Sequence, residues 1–123
     1  MFNVIKSQPM IRERVVFRDG RRKLVVRLNL YVDDLIESYD RAQAKLEYAE
    51  KMFKKDASEL HAREYGEAAV ALVQAVFGAE PAAAIFTFYN GRHIQMLADV
   101  YPFIQKKILP KLRNPFTRLR LGR

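Results

Sequence analysis

The chain has 123 residues, half of them apolar, a formal net charge of +8 and no cysteine. That is one domain's worth of sequence, too apolar for a wholly disordered protein and, without thiols, excluded from disulfide scaffolds and thiolate metal sites. No apolar run approaches the roughly 20 residues that span a bilayer, and the N-terminal MFNVIKSQPM lacks a signal-peptide core.

Residues 1–31 read as a β-hairpin region. Residues 14–18 (RVVFR) and 21–30 (RRKLVVRLNL) flank Asp19-Gly20, a strong two-residue hairpin signal because a type I′ turn needs positive φ twice. That loop would set Val15 opposite Leu24 and Ile11 opposite Leu28. Leu24, Val26, Leu28 and Leu30 then share one face, with Lys23, Arg27 and Asn29 on the other. A lone ribbon is marginal in water, so it must pack on helices, gain a strand from residues 2–5 beyond Pro9, or pair with another copy.

Residues 32–108 read as helical. Asp33 is the expected N-cap of a first helix, with Asp34 and Glu37 in its first turn, where the helix dipole favours them. Leu35, Tyr39, Ala42, Leu46, Ala49 and Phe53 follow at alternating spacings of four and three, a heptad-like stripe. Lys51, Lys54 and Lys55 close that helix, and Asp56-Ala57-Ser58 breaks it. A second stripe runs from Leu60 to Phe77. Gly66 inside it weakens the helix by up to ~1 kcal/mol relative to alanine, which implies close approach of another backbone. Gly78 suits a positive-φ C′ position, Pro81 a first helical turn and Asn90-Gly91 a left-handed turn. After that turn Ile94, Leu97, Ala98, Tyr101 and Ile104 present one apolar face. Residues 109–123 form a basic tail, with Pro110 and Pro115 expected to stop the helix. The expected fold class is therefore α+β, an N-terminal β-hairpin followed by a compact bundle of about four helices.

Charge is unevenly spread. Residues 1–30 carry eight Lys/Arg against Glu13 and Asp19, residues 31–105 carry seven against twelve carboxylates, and residues 106–123 carry seven and no acid. Basic ends flanking an acidic centre point either to a nucleic-acid contact or to head-to-tail association of copies. Arg14, Arg18, Arg22, Arg27, Lys111, Arg113, Arg118 and Arg120 are the candidates for self-assembly or anion contact. A β-ribbon can enter a nucleic-acid groove, but charge also guards sheet edges, and only Phe17 and Phe116 interleave these cations as a stacking platform would require.

Catalytic signatures are missing. The five glycines have no phosphate-loop spacing. Asp33, Asp34 and Glu37 are explained by a helix N-terminus without a metal, and His61 and His93 by helix starts. No cofactor is expected. The stripe residues Leu35, Tyr39, Leu46 and Phe53 belong to a core or to a partner groove. Phe86 and Phe88, on a helix apolar nearly all round, are candidates for exposure and partner binding.

Residues 76–104, VFGAEPAAAIFTFYNGRHIQMLADVYPFI, carry a resemblance. The order Phe77-Gly78, Ala84-Ile85-Phe86, Asn90, Arg92, Leu97, Asp99-Val100-Tyr101 and Phe103-Ile104 resembles the C-terminal half of small tail assembly chaperones of long-tailed bacteriophages and prophages. It covers about a quarter of the chain closely; upstream only the layout is similar. The resemblance implies a non-enzymatic, oligomeric protein of the host bacterial cytoplasm. Its partner would be the tape measure protein, kept soluble during tail morphogenesis, and a longer frameshift form would reach the tail tube protein. The basic tail is more positive than the family's short form. The alternatives are a small basic nucleic-acid-binding protein and a structural head–tail or capsid component.

Overall fold

A computed structural model describes residues 10–112, and the expected strand at residues 2–5 and the tail from residue 113 lie outside them. Two antiparallel strands, β1 (Met10–Asp19) and β2 (Arg22–Tyr31), lead into α1 (Val32–Lys55), α2 (Glu59–Phe77), α3 (Ala79–Tyr89) and α4 (His93–Phe103). A π-helical turn, Ile104–Ile108, and a last α-helical turn, α5 (Leu109–Leu112), continue α4. The architecture is α+β, a hairpin followed by helices.

The hairpin turn is not the expected one. Asp19 pairs with Arg22, so the two loop residues are Gly20 and Arg21, and Val15 faces Val26 while Ile11 faces Leu30. Of the two, Gly20 alone has positive φ, at +63°. A glycine first in the loop suits a II′ turn, which spares the second residue the left-handed region. The shift from the expected pairing is two residues, an even number, so both strands keep their faces. Ile11, Phe17, Val26 and Leu28 are buried against the helices, and the Phe17 ring meets Tyr89 edge-on at 6.2 Å.

The first helix begins at Val32 with Tyr31 as its cap residue, so Asp33 stands inside the first turn rather than capping it. Its Oδ1 accepts the Asp34 N–H at 2.9 Å. The stripe is core: Leu35, Tyr39, Ala42, Leu46 and Ala49 are buried, and α1 packs chiefly on α2. Small residues on α2, Ala68 and Ala69, alternate with Leu72, Val73 and Val76, all buried, so the two helices approach closely. Ser58 caps α2 by accepting the His61 N–H at 3.2 Å.

Gly66 is explained by a side chain, not by a backbone. A Cβ placed there would lie 3.0 Å from His93 Nδ1. Gly78, at φ +85°, both ends α2 and starts α3, and Asn90 (φ 49°) with Gly91 (φ +85°) turns α3 into α4.

The last helix runs further than its prolines suggest. Pro102 lies within α4, and Pro110 lies beyond a wide turn in which the Leu109 N–H donates to the Ile104 carbonyl. The ring of Pro110 would collide with the Lys106 carbonyl in a regular α-helix, and the wider turn opens that space. Inserting one residue also aligns Val100, Ile104, Ile108 and Leu112, all buried, along one line. Twelve residues then take about three turns, as roughly eleven would in an unbroken helix. Leu109–Leu112 is thus part of the fold, and the expected tail boundary at residue 109 falls four residues early.

Candidate interaction surfaces

Alternation along the hairpin sends one face to the core and the other to solvent. On the outer face, Arg12, Arg14, Arg18, Lys23 and Arg27 are all exposed. Arg14 stands opposite Arg27 and Arg18 opposite Lys23. Like charges directly opposite are destabilising in a ladder, and among the described residues no carboxylate pairs with them: the ion pairs there involve other cations. Between the two charged pairs sits Val16 opposite Val25, the latter 38% exposed. The face is therefore an apolar step between two basic rungs.

Arg22 behaves differently from the other candidate cations. It packs 4.6 Å over the Phe88 ring and donates to the Phe88 carbonyl at 3.0 Å, so it is a structural tie at the hairpin tip. Lys111 holds Glu13 at 2.5 Å, joining α5 to β1. Arg113, Arg118 and Arg120 lie outside the described residues.

The second surface is a groove of about 470 Å³ where α1 and α4 flank α2. Leu46, Ile94, Leu97, Ala98, Tyr101 and Pro102 supply apolar lining, and Glu47 and Glu50 stand on the α1 side. Gln43, Glu47 and Glu50 share one helix face by their spacing. Gln43 donates to Glu47 at 2.9 Å and to the Tyr101 hydroxyl at 2.7 Å, bridging the two helices. Ile94 is 53% exposed. Tyr65 donates to Glu50 at 3.3 Å, and burial first, then the Glu50 charge, raises its pKa. No lysine or arginine lines the groove.

The expected partner-binding residues separate. Leu35, Tyr39 and Leu46 are buried in the core, with Leu46 also forming groove floor, and Phe53 is half-buried against Tyr65 at 5.7 Å. Phe88, expected to be exposed, is buried, because the hairpin tip covers it through Arg22; Phe86 is half-buried. Sequence reasoning missed Tyr48 and Leu60, the large apolar side chains left exposed on α1 and α2, at 66% and 52%. Tyr48 falls off the α1 stripe, which was its only signal, whereas Leu60, expected to open the second stripe, stands exposed in the first turn of α2.

Among the described residues no three His, Asp or Glu side chains are grouped to hold a metal ion. No helix among them is long and apolar enough to cross a membrane. Comparison with protein-family models, curated proteins and solved structures gives no match.

Proposed function

We propose that this chain is a non-enzymatic tail assembly chaperone that binds the tape measure protein of a long-tailed phage and keeps it soluble in the host cytoplasm until the tail tube forms. The observation that carries the reading is the residue order Phe77-Gly78, Ala84-Ile85-Phe86, Asn90, Arg92, Leu97, Asp99-Val100-Tyr101 and Phe103-Ile104, which resembles that family. The physical logic is coverage. A long helical chain aggregates through its apolar faces when unassembled, and small proteins with spare apolar surface can mask those faces. Here that surface includes Tyr48, Leu60 and half-buried Phe86. Weak contacts suffice when many copies bind one chain. A longer frameshift form would add contact with the tube protein.

The test is co-expression with the tape measure protein of the same phage, a very long helical protein. The intact chain is expected to keep that protein soluble. The variant Tyr48→Ser/Leu60→Ser/Phe86→Ser, still folded by circular dichroism, is expected to let it precipitate. A chain that leaves the long protein insoluble and instead retards duplex DNA in a salt-sensitive way would be a nucleic-acid-binding protein.

A further inference from the structure

We infer that the ligand of the α1–α4 groove is a second copy of this chain, entering with the outer face of its hairpin. The two surfaces are complementary in layout. The hairpin offers Val16 and Val25 side by side, with cations two residues away along each strand, roughly 7 Å. The groove offers an apolar floor with Glu47 and Glu50 along one wall and no cation in its lining; Lys54, just outside it, reaches Glu50 at 3.7 Å, so Glu47 is the wall's carboxylate without an ion pair among the described residues. The charged residues of the groove lining are carboxylates and those of the hairpin's outer face are cations.

Neither surface can satisfy the other within one chain, because the inner face of the hairpin is the one packed on the helices. A face kept merely soluble would mix charges of both signs. This one instead sets arginine against arginine and arginine against lysine across the ladder, an arrangement that an anionic partner relieves. Arginine predominates among these cations, as bidentate pairing with carboxylates favours. The apolar step at Val16 and Val25 favours a partner with an apolar slot over a phosphate backbone, which has none.

The contact is heterologous, hairpin to groove, so repeated copies form a ring or an open filament according to whether the rotation closes. Exposed charge pairs are screened within about 8 Å at physiological salt, so the assembly loosens as salt rises. The contact forms without the tape measure protein.

Two charge-reversed variants test it, Arg14→Glu/Arg27→Glu on the hairpin and Glu47→Lys/Glu50→Lys in the groove. All four side chains reach solvent, and circular dichroism checks each fold; Arg14→Gln/Arg27→Gln and Glu47→Lys alone replace a variant that unfolds. At low salt, sedimentation velocity of the unmodified chain is expected to give a mass well above the 14.3 kDa of one copy. Each reversed variant alone is expected to sediment as a monomer. An equal mixture is expected to assemble again, because the acidic hairpin of one fits the basic groove of the other, and the converse. A monomeric unmodified chain, variants that still assemble alone, or a mixture that stays monomeric would each overturn the inference. So would duplex DNA bound by the basic face of a chain that does not self-associate.

Discussion

Arg92 at the start of α4 and Asp19 at the hairpin tip, 73 residues apart, meet through a 2.7 Å contact between Nη2 and Oδ2. Arg92 also donates through Nε to the Tyr89 carbonyl at 2.9 Å, and Arg22 reaches the same Asp19 oxygen at 3.6 Å. One carboxylate thus joins the two-residue loop to the α3–α4 turn. The hairpin, marginal alone, is fastened at its tip as well as along its inner face.

That cluster predicts an order of losses. Asp19→Ala breaks half-exposed ion pairs and is expected to lower stability by about 0.5–1 kcal/mol. Arg22→Ala is expected to lose about 1–2 kcal/mol, because the bond to the Phe88 carbonyl and the ring contact go with it. Arg22→Lys should recover little, since an ammonium cannot stack as a guanidinium does. Urea denaturation of the three variants gives the ranking, and equal losses would refute it.

Gly66 and His93 should be coupled. Gly66→Ala gains helix propensity but sets its methyl 3.0 Å from His93 Nδ1, so alone it is expected to be neutral or destabilising. In a His93→Ala background the same change is expected to stabilise by about 0.5–1 kcal/mol. A double-mutant cycle measures the coupling; a Gly66→Ala effect that is the same in both backgrounds would mean no contact.

A methyl added at Gly91 would meet open space, but the backbone there has a φ of +85°. Strain in Gly91→Val would therefore be conformational rather than steric crowding by neighbours, and a loss above about 1 kcal/mol is expected. Gly91→Asn, which tolerates that region better, should lose less. Thermal melts of both variants decide.

Leu112 is buried although it follows Pro110. Leu112→Ala is expected to lose about 2–4 kcal/mol, as other buried leucines do. A melting temperature unchanged by this substitution would return residues 109–112 to the tail.

Alkaline pH should weaken the fold through Tyr89. Burial raises its pKa above the ordinary 10.0, and the hydroxyl's 2.7 Å bond to Asp99 Oδ2 raises it further. The folded state holds this proton more tightly than the unfolded chain does. The associated stability is whole below pH 10 and falls as pH rises from there toward the higher folded pKa. Tyr89→Phe is expected to flatten the decline in stability measured between pH 9 and 11, and an unchanged slope would count against it.

Much of the fold was legible because its causes are local. Gly78, Asn90 and Gly91 tolerate backbone conformations that few residues adopt, and the spacing from Leu35 to Ala49 is visible within one helix. The hairpin's alternation likewise needs only its own ten-residue strands. By itself the sequence determined the order of elements, the turns at Gly78 and Asn90-Gly91 and which stripe of α1 is apolar.

Tertiary structure decided the rest. Phe88 belongs to a helix apolar nearly all round, and its burial depends on Arg22, 66 residues away. The register of the hairpin turned on which loop residue takes positive φ, a choice between neighbours that composition leaves balanced. Pro110 reads locally as a stop, yet burial of Ile108 and Leu112 draws the helix past it through a wide turn. Glu47, Glu50, Ile94 and Tyr101 share a groove only because α2 holds α1 and α4 apart. Backbone preference acts over a few residues, whereas burial and charge pairing act between surfaces that meet only when the chain has folded.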